Sequence, residues 1–397
     1  MLHIGIKFLN LEVMRIPLYA HSISLLVVCK TIVNVLLFKS KVIKDFKLVF
    51  EKSFPDYTFY SVSKSRYGFY TFCKKYFESE DEVLISAFSY PLYYEYLKIL
   101  GLKVKVLDVD SKTLAINPKL IEKELTQNSK AIIVTHLFGN NLLTDEIFKI
   151  SRANNLLIIE DSAQYMSFKK SKNNGDIAFI SFSATKSPTS FDGGIILCKK
   201  PSLNNYIPNI SSKNNEFYYI CKTSILMLIT SKYGFSFLKK IIFPVLYYLK
   251  RDWVNYLVSE EGKTVSTPNE KSFKSLSVFQ KGILLIQFKK MDQDIELRKT
   301  RMKELRRILD YYLFISDDST YQACVFKDNE KKILNKLISL GISPIDENLF
   351  NLSKIIDYNL SVASSIKNLT RVPCYTQMND KLFLEILREL SIDAVNE

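Results

Sequence analysis

At 397 residues, 47% of them hydrophobic, the chain is long enough to bury a large core and to form two connected lobes. Its formal net charge of +14 indicates an anionic partner, but the dispersed basic pairs lack a zinc-finger or RNA-binding motif, so nucleic acid is not expected to be that partner. Six cysteines without a CxxC pair and three histidines exclude a conventional multi-His zinc site and predict a reducing, cytoplasmic compartment without a structural metal.

The first 57 residues are predicted to form an N-terminal helical segment. Its apolar stretch, Ile23–Phe38, is interrupted by Lys30 and Asn34 and is too short for a membrane span. Two interpretations remain open for this stretch: a helix that packs on the protein, or a helix that lies on a membrane surface.

From residue 58 the chain alternates short apolar runs with longer amphipathic ones, which predicts a large domain over 58–258. Strands alternating with helices of this length indicate right-handed crossovers and a mainly parallel sheet flanked by helices. The predicted strands are DEVLISAF, KVKVLDVD, KAIIVTHLFG, LLIIEDSAQ, DIAFISFSAT and GGIILCK. The predicted helices between them include PLYYEYLKILG, closed by Gly101, and NPKLIEKELTQ, capped by Asn117.

Residues 218–251 form an apolar and aromatic segment that carries regularly placed lysines. Two helices separated near Gly234 fit this pattern. Such a pair can lie on an anionic bilayer as a peripheral contact, or it can be buried in a subunit interface, and the sequence leaves both open.

The remainder, 259–397, is predicted to be a linker and a smaller C-terminal α/β domain. The polar stretch Ser259–Ser275 is the linker candidate, and helical apolar spacing over residues 276–312 predicts one long helix that joins the two lobes.

Asp161 is the first candidate for chemistry, because it ends an apolar predicted strand in IEDSAQ. A buried carboxylate needs a partner, and the protonated ring nitrogen of pyridoxal 5'-phosphate (PLP) is one that suits it. Gln164, three residues later, can hydrogen-bond the ring oxygen of that cofactor. The alternative for Asp161 is a helix cap at the end of a strand.

Lys186 follows the next predicted strand, in SFSATK. A lysine that attacks an aldehyde must be partly neutral, which requires burial or a nearby cation. Ser181 and the backbone of this turn can bind a phosphate, and Gly193–Gly194 allows a tight turn beside it. The alternative is a polar hairpin with an exposed lysine.

Two further segments fit the same site. Ser65 and Arg66 precede a helical pattern, a position that suits an anion at a helix N-terminus. Tyr90 follows a predicted strand and can stack on a pyridine ring.

These motifs together resemble the DegT/DnrJ/EryC1/StrS family of PLP-dependent sugar aminotransferases, which have the aspartate-aminotransferase fold (fold type I). AIIVTHLFG, which contains His136, is similar to the family's VHLYG strand; IEDSAQ resembles its EDAAQ, and SFSATK its SFHxxK. The resemblance runs from about Ser61 to Lys200 and resumes at 284–298 and 369–387. It implies a large domain with a mainly parallel sheet plus a small C-terminal domain.

The resemblance also implies a role for each candidate residue. Lys186 would bind PLP as a Schiff base and shuttle protons, and Asp161 would pair with the ring nitrogen. The other implied contacts with PLP are Gln164 to the ring hydroxyl, Ser181, Ser65 and Arg66 to the phosphate, and Tyr90 to the ring face. No metal is implied.

The implied reaction converts a nucleotide-linked keto-sugar to an amino-sugar, with glutamate as amino donor, in surface polysaccharide or glycan biosynthesis. A homodimer is implied as well. The sequence departs from the family in having Ser183 where the family has His, and FKS (Phe273–Ser275) near its NYR element. Two alternatives stay open: another fold type I reaction, such as a lyase or a dehydratase, or a non-catalytic membrane-associated protein. Family dehydratases replace the lysine with histidine, so Lys186 argues against dehydration.

Overall fold

A computed structural model gives the fold of most of the chain. It describes residues 23–168, 175–212, 214–230, 267–268, 273–309, 315–316, 318–328, 330–340, 345–346, 350–354, 356, 360–374, 378 and 380–394. The predicted boundary at residue 258, most of the linker candidate and the predicted break near Gly234 lie outside these ranges.

The large lobe holds seven strands with helices between them. The strands are β1 (Thr58–Val62), β2 (Glu82–Ser86), β3 (Lys103–Leu107), β4 (Ser129–Thr135), β5 (Leu157–Ser162), β6 (Ile177–Ser181) and β7 (Gly194–Cys198). The helices are α1 (Leu25–Ser53), α2 (Ser65–Tyr76), α3 (Pro91–Ile99), α4 (Pro118–Glu124), α5 (Asp145–Ala153) and α6 (Glu216–Thr230). Each predicted strand and helix between residues 81 and 198 is present.

The seven strands form one sheet in the order β1-β7-β6-β5-β4-β2-β3. The pairs from β6 to β3 are parallel, whereas β7 is antiparallel to both of its neighbours. This confirms the predicted mainly parallel sheet. The carboxyl ends of β4, β5 and β6 therefore meet at one edge, where ligands bind in sheets of this kind.

Local sequence signals explain the ends of these elements. The side chain of Asn117 accepts a hydrogen bond from the Lys119 N–H at the start of α4, as predicted. Gly101 follows α3 with φ +76°, a conformation that favours glycine. The start of α4 and the end of α3 are thus each determined by one residue.

The predicted long helix over residues 276–312 is wrong in one respect: it is two helices, α7 (Val278–Phe288) and α8 (Met291–Ile308). They serve different cores. Leu284 of α7 packs with Phe46 and Phe50 of α1, whereas Met302 and Leu305 of α8 pack in a second core. The chain turns at residues 289–290 so that each helix can bury its own apolar side.

That second core belongs to a three-stranded sheet with the order β8-β10-β9. Its strands are β8 (Cys324–Lys327), β9 (Ile345–Asp346) and β10 (Leu369–Val372), and the helices that follow α8 are α9 (Lys332–Ser339), α10 (Ser361–Ser365) and α11 (Asp380–Ala394). No helix in the described ranges is long and apolar enough to cross a membrane.

Candidate active site

The candidate site is an open cleft at the carboxyl ends of β5 and β6. It is shallow, and about 200 Å³ of space, part of it open solvent, lies between its walls. Among the residues that line it are Gln164, Tyr165, Ser181, Lys186, Ser187 and Gln322. Three of the predicted residues therefore line one cleft, although they are up to 22 positions apart in the sequence, and Asp161 ends the strand beside it.

Asp161 is 3% exposed, and its Oδ1 accepts a hydrogen bond from the Ala163 N–H at 3.1 Å. Burial raises the pKa of this carboxyl from 3.8 to about 6, against the opposing effects of the Ala163 hydrogen bond, of Lys186 and of the neighbouring His136. In the described part of the chain no hydrogen bond satisfies Oδ2. A cationic N–H donor in the cleft would therefore stabilise the charged form of Asp161.

Gln164 is oriented by the backbone that follows β4. Its Oε1 accepts a hydrogen bond from the Phe138 N–H at 2.8 Å, with Gln164 buried. Because the oxygen is occupied in this way, the amide nitrogen is the group that Gln164 can offer to a ligand, and no described residue accepts a bond from it.

Asp161 is held in place by a buried pair that lies next to it. The backbone N–H of His136 donates to the backbone carbonyl oxygen of Asp161 at 3.0 Å. His136 Nδ1 accepts from the Leu142 N–H at 3.0 Å, so Nε2 carries the proton that it donates to Glu160, 2.7 Å away. Both side chains of this pair are fully buried. The motif around His136 was part of the resemblance, but its pairing with Glu160 was not predicted.

Lys186 lies half-buried in the loop that joins β6 to β7. The backbone N–H of Lys186 donates to the Ser183 carbonyl oxygen at 3.0 Å. The backbone N–H of Ser183 donates to Ser181 Oγ at 3.3 Å. The exposed hairpin lysine, which was the alternative interpretation, is not what the structure has. The loop is also fixed from α7, because Gln287 exchanges two hydrogen bonds with the Thr189 backbone.

Ser187, the residue after Lys186, is held by two residues that were not predicted from the sequence, Arg298 and Gln322. Arg298, on α8 and 4% exposed, donates to Ser187 Oγ and to the Thr320 carbonyl oxygen, both at 3.0 Å. The Gln322 side-chain amide, oriented to satisfy both of its atoms, donates to the Ser187 carbonyl oxygen at 2.9 Å and accepts from its N–H at 3.0 Å. The lysine loop is thus fixed by groups more than 100 residues away.

Ser65 and Tyr90 both lie next to Tyr93, which is close enough to Asp161 to be affected by its charge. Burial raises the pKa of the Tyr93 hydroxyl well above its ordinary value; the charge of Asp161 adds to the rise, and the nearby Ser65 opposes it. Ser65 Oγ itself is buried and has no hydrogen-bond partner among the described residues. The Tyr90 ring packs edge-on against the Tyr93 ring, with centroids 5.7 Å apart. A Cβ on Gly194 would lie 2.8 Å from the Ser65 Cβ, so only glycine at the start of β7 leaves room for the first residue of α2.

Arg66 lies at the start of α2, with its guanidinium 5.6 Å from the centroid of the neighbouring Tyr67 ring. Its predicted contact with a phosphate stays a prediction. In the described residues, no group of three or more His, Cys, Asp or Glu side chains is arranged to hold a metal ion.

Comparison with known proteins finds a family that resembles the part of the chain around this site. Residues 75–217 match the model of the DegT/DnrJ/EryC1/StrS aminotransferase family. The chain is 29% identical over 148 residues to a dTDP-4-amino-4,6-dideoxy-D-glucose transaminase from Shigella dysenteriae (36% of this chain, 39% of the relative). It is 36% identical over 90 residues to a GDP-4-keto-6-deoxy-D-mannose 3-dehydratase from Yersinia pseudotuberculosis (23% of each chain).

The solved structure of Helicobacter pylori PseC, an aminotransferase involved in the biosynthesis of pseudoaminic acid, is similar with a TM-score of 0.70 at 15% identity. It covers 96% of this chain and 99% of PseC. This likeness confirms the predicted fold class, fold type I. The sequence matches to curated relatives span less than half of each relative's length. Over residues 75–217, about a third of the chain, the sequence is similar to the DegT/DnrJ/EryC1/StrS aminotransferase family.

Proposed function

We propose that this protein is a PLP-dependent aminotransferase that converts a nucleotide-linked keto-sugar to an amino-sugar, with glutamate as the amino donor. One observation carries the proposal. A half-buried lysine, Lys186, lines the cleft beside a buried carboxylate, Asp161, and its charge lowers the pKa of that carboxyl. A buried acid and an amine at such a position suit a cofactor with a cationic ring nitrogen and an aldehyde.

The residues of the cleft fit PLP. When bound, PLP supplies an electron-accepting ring and an aldehyde that carries the amino group from donor to acceptor. Asp161, whose Oδ2 lacks a hydrogen bond in the described structure, would keep the ring nitrogen protonated. Gln164 would donate its free amide N–H to the ring hydroxyl.

The remaining contacts would hold the phosphate and the ring face. Ser181, at the end of β6, and Ser65, at the start of α2, are separated only by Gly194, which pairs with Ser181 across the sheet. Their hydroxyls would bind the phosphate, with Arg66 as the neighbouring cation. Tyr90 would cover the ring.

Lys186 would bind the cofactor covalently and move the proton at the substrate carbon as acid and base. For this the amine must be neutral part of the time. The loop that carries Lys186 is fixed at Ser187 by Arg298 and Gln322, so the position of the amine does not depend on an exposed turn. Arg298 also brings a buried positive charge to the loop.

The comparisons support a nucleotide-linked sugar as substrate, because the named relative from Shigella dysenteriae acts on a dTDP-sugar. We also infer a homodimer and a cytoplasmic location, with the apolar 218–251 segment as a peripheral membrane contact. In support of that contact, α6 exposes Phe217, Tyr218 and Ile225; residues 231–251 lie outside the described ranges.

A dehydratase is the second candidate, because one relative with 36% identity is named as such. Lys186 opposes it, since dehydratases of the family have histidine at that position. A dehydratase would remove oxygen from the sugar without adding nitrogen.

The test is nitrogen transfer. The protein is incubated with PLP, ¹⁵N-labelled glutamate and a panel of nucleotide-linked keto-sugars, and the products are analysed by mass spectrometry and NMR. We expect ¹⁵N on a sugar carbon, none with Lys186→Ala, and unchanged transfer with Lys199→Ala, a control lysine at the far end of β7. A deoxy-sugar without ¹⁵N would establish dehydration instead, and transfer by Lys186→Ala would overturn the proposal.

A further inference from the structure

The first half of α1 turns an apolar face to solvent. Six of its side chains are exposed: Leu25, Leu26, Cys29, Val33, Leu36 and Leu37. At 100° per residue they fall within an arc of roughly 120° on the helix surface. Leu26 is 70% exposed and Leu36 is 77% exposed, so this stripe is not part of the core. We call these six residues the α1 stripe.

The opposite side of α1 is the one that packs on the protein. Val28 and Thr31 are buried there, and Val28 shares a core cluster with Phe279 and Ile283 of α7. Because this side already anchors the helix, folding does not require the α1 stripe to be apolar. Contiguous apolar side chains that serve no core mark an interaction surface.

The charge of α1 identifies the kind of partner. The helix has six lysines and only two acidic residues, Asp45 and Glu51. The lysines are Lys30, Lys39, Lys41, Lys44, Lys47 and Lys52, all of them exposed. Lys47 forms an ion pair with Glu51 at 3.3 Å. Lys30 lies in the half of α1 that carries the α1 stripe. The other five lysines, which together with Lys30 we call the lysine row, follow Phe38, where non-helical backbone angles (φ −135°, ψ 38°) interrupt the helix.

We propose that α1 docks on an anionic lipid surface, with the α1 stripe in the interfacial region of the bilayer and the lysine row on the headgroups. Exposed apolar side chains and lysines on one helix are the pattern of a helix that lies in a membrane interface. A second copy of this chain suits the surface less well. A symmetric dimer through this face would bring the same lysine row from both copies together.

The surface is distinct from the cleft of Asp161 and Lys186, so lipid binding and amino transfer are separable. The proposal concerns a helix on the surface, consistent with the finding that no described helix can span the membrane. It also concerns α1 itself, and it does not require the predicted contact through 218–251.

Vesicle co-sedimentation of the full-length protein tests the proposal. The protein is mixed with vesicles of phosphatidylglycerol and phosphatidylcholine in equal amounts, or of phosphatidylcholine alone. We expect sedimentation with the anionic vesicles, and release when salt of about 1 M shortens the screening length to roughly 3 Å. The double variant Leu36→Gln/Leu37→Gln is expected to bind about tenfold more weakly or worse, because it removes two apolar groups from the interface. Leu384→Gln, at a 61% exposed leucine on α11, is the matched control and should bind as the wild type does.

A fluorescence experiment separates insertion from adsorption. Cys29 lies in the α1 stripe and is the exposed one of the six cysteines. An environment-sensitive dye on Cys29 should shift to the blue with anionic vesicles, whereas the same dye on the double variant Cys29→Ser/Leu384→Cys should not. No sedimentation with anionic vesicles, or sedimentation that leaves the Cys29 dye in water, would overturn the proposal. A dimer in solution that is broken by Leu36→Gln/Leu37→Gln would assign the stripe to a second copy instead.

Discussion

The substitution Asp161→Asn distinguishes what the buried carboxylate costs in folding stability from what it contributes to catalysis. The Asp161 carboxyl is 97% buried, and burial raises its pKa from 3.8 to about 6. At ~1.4 kcal/mol per pH unit, this difference corresponds to about 3 kcal/mol that the ionised carboxylate costs the cofactor-free fold. Asparagine has the same shape and no charge, and its Oδ1 can keep the hydrogen bond from the Ala163 N–H.

The sign of the pH dependence follows from the raised pKa. The unfolded chain ionises Asp161 above about pH 3.8, but the folded chain holds the proton until about pH 6. The wild type therefore loses this stability as the pH rises through that window, and the loss is complete above it. Asp161→Asn should be more stable than the wild type by about 3 kcal/mol at pH 8 and about equal to it at pH 4.

Urea denaturation of both cofactor-free proteins at the two pH values measures this difference. Asp56→Asn, at an exposed aspartate, is the control and should change the free energy of unfolding by less than about 0.5 kcal/mol. In the presence of PLP and substrates, Asp161→Asn should lose a factor of about 100 or more in turnover. Equal stability of wild type and Asp161→Asn at pH 8 would refute the argument that Asp161 is held at a cost for a cationic partner.

Two other substitutions test the supports of the site. Arg298→Gln should destabilise the protein by about 2–4 kcal/mol in urea denaturation, because it removes the donors of two buried hydrogen bonds, and it should also slow the formation of the PLP adduct. Arg307→Gln, at a 73% exposed arginine, is the control, and equal effects of the two substitutions would contradict the role of Arg298 in holding the lysine loop. Gly194→Ala should weaken PLP binding in a spectroscopic titration and cost about 1–3 kcal/mol of stability, because the added Cβ would lie 2.8 Å from the Ser65 Cβ. Binding at wild-type strength would show that PLP binding does not require the close contact between Gly194 and Ser65.

Much of the large lobe could be predicted because its signals are local. Apolar runs of strand length alternate with amphipathic helices, and Asn117 and Gly101 mark helix ends through their own backbone chemistry. Asp161 and Lys186 could be identified because each follows such a run. Their meeting at one cleft then follows from the parallel sheet, which brings the ends of β5 and β6 together.

The groups that fix the lysine could not be predicted in the same way. An arginine on an amphipathic helix normally faces solvent, and nothing near Arg298 in the sequence indicates that it is buried against Ser187. Gln322 lies in a stretch without periodic signal. The break between α7 and α8 escaped prediction for a related reason, since periodicity does not tell which core a helix will join.

The α1 stripe shows the same limit at the surface. The apolar spacing of Ile23–Phe38 indicated a helix and left open whether it packs on the protein or lies on a membrane. In the structure Val28 and Thr31 on one side of α1 are buried, whereas Leu36 and Leu37 on the other side are exposed. A hydrophobic pattern cannot distinguish two apolar sides that face different environments.

The most direct test of the central claim is where PLP attaches. The protein is mixed with PLP, its visible absorption spectrum is recorded, and the adduct is reduced with borohydride and located by peptide mass mapping. We expect a reducible band and a single labelled lysine, Lys186, with no such band for Lys186→Ala. A label spread over surface lysines, or no reducible band at all, would contradict the claim that this lysine is the amine on which the chemistry depends.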